Sequence, residues 1–205
     1  MTSSRLVVGF DLDMTLIDSR PGIKAVYEAL SAETGVLIDT DLVVSRLGPP
    51  VEMELRNWFP ESEVDTRADR YRALYPDIAI AKIQALPGAV AALEAVRAVG
   101  RAIVITAKAG NNAQLHLDHL DLTADTVFGS AWRGGKADVL RAETATIYVG
   151  DHVHDMAAAA SAGIIGVGVA TGPCSREELL GSGAHEVLTS LAEFPAWLET
   201  HTQST

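Results

Sequence analysis

The sequence predicts an α/β fold: a doubly wound parallel sheet interrupted once by a small all-helical segment. Apolar, β-branched runs of strand length recur along the chain, near-continuous as in strands covered on both faces. Helical patterns bridge most of the gaps between them, as in repeated β-α-β crossovers. One gap, between the first run and the second, is far too long for a single crossover helix.

The first run is Leu6–Phe10. After it, the residues from about Pro21 to Gln84 read as several short helices. Pro21 suits a first helical turn, and Gly35 ends that helix. Gly48-Pro49-Pro50 breaks the next one. Pro60 stops the segment Val51–Phe59, and Pro76 is expected to stop a helix through Arg67–Tyr75. Ser19-Arg20 and Leu86-Pro87-Gly88 join this segment to the rest. The expected division is a Rossmann-like core at residues 1–19 and 86–205 and a helical cap at 20–85. A compact helical unit on two linkers can open and close over a site at the strand ends. The helix Ala89–Val99 starts after Pro87-Gly88 and stops at Gly100. Further strands are expected at Ala102–Thr106, Thr126–Gly129, Thr146–Val149 and Ile164–Val169. The alanine-rich helix Asp155–Ala162 ends at Gly163, a good residue to follow a helix.

Length and composition agree. The 205 residues suffice for one domain carrying a smaller insertion. A hydrophobic fraction of 48% and a charged fraction of 21% are ordinary globular usage, against a disordered or fibrous chain. No charge-free apolar stretch reaches the roughly 20 residues of a membrane span. After Met1-Thr2-Ser3-Ser4-Arg5 the apolar run before Gly9 is only Leu6-Val7-Val8, too short for a secretory signal. The one cysteine, Cys174, excludes an internal disulfide and a thiolate-only metal site. A soluble, cytoplasmic protein is expected, monomer or homodimer. Sixteen Lys+Arg against 27 Asp+Glu give a formal charge of -11, with no basic cluster, so a nucleic acid polymer would be repelled. The expected partner is a small molecule, held if anionic by a few local cations or by a metal.

The strongest local signal is Gly9-Phe10-Asp11-Leu12-Asp13-Met14-Thr15. Ligands of open α/β sheets bind beyond the carboxyl ends of the strands, where Asp11 and Asp13 fall. Residues i and i+2 of an extended segment point to one side. Two such carboxylates about 4 Å apart repel by about 4 kcal/mol at an effective dielectric near 20. Protonation, divergence of the chain or a shared cation relieves that repulsion. A second acidic cluster, Gly150-Asp151-His152-Val153-His154-Asp155, follows another apolar strand. Asp151 and Asp155 share a face if a helix begins there. Carboxylates from two strands meeting at one rim call for a divalent ion, and oxygen-only ligands favour magnesium. Thr106, at a strand end, can hold an anionic oxygen. Lys136, after Gly134-Gly135, can counter charge on a transferring phosphoryl group, with Lys108 as its competitor.

In this order, Asp11-x-Asp13-x-Thr15, Thr106, Lys136 and Gly150-Asp151-x-x-x-Asp155 resemble the haloacid dehalogenase-like superfamily, specifically its magnesium-dependent phosphatases. The helical insertion resembles the cap of the phosphoglycolate phosphatase and β-phosphoglucomutase group. The resemblance implies Asp11 as nucleophile and Asp13 as general acid/base. It also implies Mg2+ held by Asp11, the Asp13 carbonyl and Asp151, with Asp155 in support. The implied reaction is hydrolysis of a small phosphomonoester through an aspartyl-phosphate, in the manner of a phosphoglycolate phosphatase. A β-phosphoglucomutase type of phosphomutase and a nucleoside monophosphate phosphatase are the alternatives. Asp13 argues against carbon–halogen cleavage, since the superfamily's dehalogenases are expected to lack it. A phospho-accepting receiver domain would place its second acidic group before the lysine, not after.

Two departures stand out. Met14 replaces the family's usual Gly, altering the turn after Asp13, and Ala107 replaces a usual Asn near the substrate. Arg46, beside Gly48-Pro49-Pro50, is a candidate substrate-contacting cation. His152 and His154 are expected to face mainly solvent, and His116 and His119 the exposed side of their helix. Trp58, Trp132 and Trp197 are expected to be packing anchors. Gly166-Val167-Gly168 lies within a strand and is poor evidence for dinucleotide binding.

Overall fold

The computed structural model describes residues 6–203. In chain order the elements begin with β1 (Leu6–Phe10), β2 (Ile17–Asp18), α1 (Arg20–Thr34), α2 (Thr40–Ser45), α3 (Val51–Leu55) and α4 (Glu61–Ala79). There follow β3 (Gln84–Ala85), α5 (Ala89–Val99), β4 (Gly100–Ile105), α6 (Gly110–His119), β5 (Thr126–Phe128) and α7 (Gly134–Ala142). The chain ends through β6 (Ile147–Gly150), α8 (Val153–Ala162), β7 (Ile165–Val169), α9 (Arg176–Gly181), β8 (Glu186–Leu188) and α10 (Phe194–Gln203).

Six strands form one parallel sheet in the order β5-β4-β1-β6-β7-β8. From β1 the chain winds first to β4 and β5, then crosses to β6 on the other side. β1 is therefore central and lies at the reversal of strand order, where such sheets open a crevice. Alternate residues serve opposite faces. Val8, Phe10, Ala102 and Val104 join α5, α6 and α10, with the Phe10 and Phe194 rings 5.3 Å apart at their centres. Val7, Ile103, Ile105 and Tyr148 instead pack with Ala137 and Leu140 of α7 and Ala158 and Ala159 of α8. Burial on both faces explains the near-continuous apolar strands.

The five expected strands are present with ends shifted by up to two residues. Three were not expected. β8 reads only Glu186-Val187-Leu188, and β2 and β3 have two residues each. The pairs Ile17↔Ala85 and Asp18↔Gln84 make an antiparallel ribbon where the chain leaves for the helical segment and returns.

Within that segment Pro21 lies in the first turn of α1, and Gly35 ends it at φ 72°. Pro60 precedes α4 as expected, but Pro76 does not stop it: α4 runs on to Ala79. A proline inside a helix forfeits one backbone bond and costs about 3 kcal/mol. Against that, Val64, Ala68, Tyr71, Tyr75 and Ala79 are all buried on one face, two of them at or beyond the proline's turn. Burying a side chain of that kind is worth about 1.5–3 kcal/mol, so packing carries the helix through. Among the described residues, no helix is long and apolar enough to cross a membrane.

Candidate active site

Asp11 follows β1 directly, and its N–H donates to the Val149 carbonyl of β6 at 2.8 Å. Asp151 follows β6 in turn. Neighbouring parallel strands thus deliver these carboxylates to one rim. Asp155 reaches the same place from the first turn of α8, where its carboxylate accepts the His152 N–H at 3.2 Å. Each of the three offers an oxygen within 4.8 Å of the others, and all are buried.

Two glycines make room. A Cβ on Gly150 would meet the Asp155 carboxylate at 2.5 Å, and one on Gly172 would meet Asp151 Oδ2 at 1.7 Å. The second was not foreseen. Nothing in the sequence ties a loop glycine after β7 to a carboxylate after β6.

Lys136, in the first turn of α7, donates to Asp11 Oδ1 at 2.7 Å and to Asp155 Oδ1 at 2.6 Å. Thr15 Oγ1 donates to Asp151 Oδ1 at 2.8 Å. The Tyr148 hydroxyl donates to the Ile105 carbonyl at 2.9 Å and lies 3.3 Å from Asp155 Oδ1. Immediately before Lys136's helix, Arg133 holds a left-handed φ of 47°. Such a conformation costs on the order of 1–3 kcal/mol and persists only where its surroundings demand it.

Three buried carboxylates face one ammonium, which leaves negative charge stranded in a low-dielectric rim. Burial pushes the Asp11 carboxyl up to about 7, with Lys136 opposing and Asp155 reinforcing the shift. Burial, then the charges of Asp11 and Asp155, hold Asp151 well above the usual carboxylate range. Although burial opposes its charge, Asp11 and Asp155 hold the Lys136 ammonium well above the ordinary lysine range. An oxygen-only cluster with surplus negative charge fits a hard divalent cation, which Asp11, Asp151 and Asp155 would hold.

Asp13 stands between two spaces. It lines the carboxylate cavity with Asp11, Lys136, Asp151 and Asp155, and it also lines a larger cavity beneath the helical segment. Lys108 Nζ lies 3.1 Å from Asp13 Oδ1 and donates to the Tyr75 hydroxyl of α4 at 2.7 Å. The two lysines are therefore divided: Lys136 serves Asp11, and Lys108 serves Asp13. Arg46 and Ala107 line the larger cavity. Thr106 is buried, its Oγ1 accepting the Lys108 N–H at 3.1 Å, and it lines neither space.

His116 departs from expectation. It is buried, with Nε2 3.0 Å from the Tyr75 hydroxyl, because α6 turns this face toward α4. Burial, then Lys108, lowers its pKa to about 4, so the ring is neutral at pH 7. His119 is exposed as expected. His152 lines the carboxylate cavity, while the His154 ring packs 4.9 Å from that of Trp132. Met14 takes a left-handed φ of 60° in the turn after Asp13, a conformation open to glycine without strain. There its carbonyl accepts Thr171 Oγ1 at 2.6 Å.

The family model of the haloacid dehalogenase-like hydrolases matches residues 8–169. A haloacid dehalogenase-like hydrolase from Streptococcus pneumoniae superposes with a TM-score of 0.81 at 24% identity, covering 99% of this chain and 100% of its own. A predicted phosphatase from Clostridium acetobutylicum gives 0.82 at 23% identity, with 97% and 100% covered. A predicted phosphoglycolate phosphatase from Haemophilus somnus gives 0.79 at 18% identity, again with 97% and 100% covered. Among curated proteins none matches the sequence.

Proposed function

The chain belongs to the haloacid dehalogenase-like hydrolases, and from that premise we propose that it is a Mg2+-dependent phosphatase of small phosphomonoesters. One observation carries the proposal. Asp11, Asp151 and Asp155 gather at one rim, while Asp13 faces both that rim and the cavity under the helices. A phosphoryl group seated at the rim would leave its alcohol in the larger cavity, with Asp13 at the ester oxygen between them.

Bound Mg2+ would polarise the phosphoryl oxygens and screen the carboxylate–phosphate repulsion. The residues supply the remainder. An Asp11 oxygen attacks phosphorus, forming the aspartyl-phosphate as the bond from phosphorus to the ester oxygen breaks. Asp13, protonated at this stage, gives its proton to the departing alkoxide. It then takes a proton from water, whose oxygen attacks the same phosphorus, freeing inorganic phosphate and restoring Asp11. Lys136, donating to Asp11 and Asp155, keeps the nucleophile oriented and offsets charge at the phosphoryl group. Lys108 holds Asp13 in place from the other side. Thr106 is assigned an anion-holding role through the backbone turn that its side chain braces. The likeness to predicted phosphatases supports the same reading.

The test is release of phosphate from p-nitrophenyl phosphate. Activity that needs Mg2+ and disappears in excess chelator supports the proposal; full activity in chelator rejects the metal's role.

A further inference from the structure

The larger cavity holds about 730 Å3 of atom-free space, its open mouth included. Its charges and its hydrogen-bonding groups differ in one respect. Each lining cation already has a carboxylate. Arg46 is held by both oxygens of Glu54, at 2.9 and 2.7 Å, and Trp58 Nε1 adds a third bond to Glu54 at 2.8 Å. Arg72 is paired with Glu52 and Asp69, and Lys108 with Asp13. The neutral groups are the reverse. Tyr27 and Tyr71 are 2% and 7% exposed, and Asn112 is 7% exposed, yet their side chains have no hydrogen-bond partner among the described residues. The two phenol rings line the cavity side by side, tilted by 46° with their centres 4.8 Å apart. Burial above all raises both phenol pKa values, so each remains an uncharged hydroxyl.

We propose that the cavity takes a neutral, hydroxyl-bearing leaving group, of the sugar or polyol class, recognised by Tyr27, Tyr71 and Asn112. This rests on the phosphatase assignment and narrows its substrate. A buried phenol or amide is completed by a hydroxyl, which both donates and accepts. A carboxylate in the same place would meet no unmatched cation, and neutral donors alone would have to offset the cost of burying its charge. The same reasoning weighs against phosphoglycolate and against the second phosphate of a bisphosphate that a mutase would need.

Sorbitol 6-phosphate and 6-phosphogluconate test this, since they differ only in a terminal hydroxymethyl against a carboxylate. The neutral ester should show a kcat/KM higher by on the order of 10²-fold. It should also bind the Asp11→Asn protein more tightly in calorimetry, a readout independent of turnover. Tyr71→Phe and Tyr27→Phe should each raise KM for sorbitol 6-phosphate by roughly 3- to 10-fold and narrow the preference, as expected for one lost hydrogen bond. Unaltered thermal unfolding would show that these variants remain folded. Equal or better binding and hydrolysis of 6-phosphogluconate overturns the proposal while leaving the phosphatase assignment standing. Failure of every phosphomonoester to release phosphate overturns both.

Discussion

The rim of the sheet and the cavity beneath the helices share Asp13 but are built on opposite principles. At the rim, charged groups are packed together on backbone that strand pairing holds in register, and they oppose one another until a cation joins them. In the cavity, charges are matched within the protein and neutral groups are left open. On the proposed function, reaction chemistry is placed by the sheet, and selection among substrates by side chains from separate helices.

The largest expected effect lies at the rim. Asp11→Asn should lose roughly 10⁴- to 10⁶-fold in kcat toward p-nitrophenyl phosphate, as nucleophile loss does elsewhere. Circular dichroism should show the fold retained. Turnover near the parent rate would move the nucleophile elsewhere and break the contrast at its root. Asp13→Asn, where the two regions meet, should cost about 10²- to 10⁴-fold and accumulate phosphoenzyme, detectable as a mass increase of the intact chain. Unchanged kinetics would remove Asp13 from the boundary.

Stability offers a third comparison. The Asp11 carboxyl ionises near pH 4 in an unfolded chain, but burial holds it to about 7 in the fold. Below pH 4 both states keep the proton. As pH rises from about 4 through 7 the unfolded chain releases it first, so the metal-free fold loses stability across that window. Mg2+ takes the place of the proton. Saturating Mg2+ should therefore raise Tm by about 5–10 °C near pH 8 and by much less near pH 5. A thermal shift independent of pH would contradict the stranded charge at the rim. The smallest effect belongs to the helices. Tyr75→Phe removes the acceptor of Lys108 and the partner of His116, at a cost of about 1–3 kcal/mol in thermal or denaturant unfolding. No loss at all would mean that this contact between α4 and α6 is dispensable.

The same division explains what could be read from the sequence. Asp11, Asp13 and Asp151 were legible because strands reveal themselves by apolar runs, and positions just past them fall at a known edge of the fold. Lys136 after its two glycines was a weak signal alone and became a candidate through the ordered motifs of the resemblance. Legibility ended where tertiary packing decides. Pro76 carried a stop signal that the buried face of α4 overrode. His116 sat in a pattern that concealed the approach of α4. Tyr27, Tyr71 and Asn112 look in sequence like ordinary helix residues, and only the assembled helices give them a cavity in common. Met14 was noticed as a departure, and its left-handed backbone shows why glycine suits that turn.

The ribbon of β2 and β3 has a mechanical corollary. Both crossings between the helical segment and the sheet lie hydrogen-bonded side by side, so its two covalent links share one short edge, as a door's hinges share a jamb. A rotation about that edge would leave the sheet's own pairing undisturbed and would part Tyr75 from Lys108 and His116. A different segment inserted between Asp18 and Gln84 would join the sheet through the same two-residue pairing.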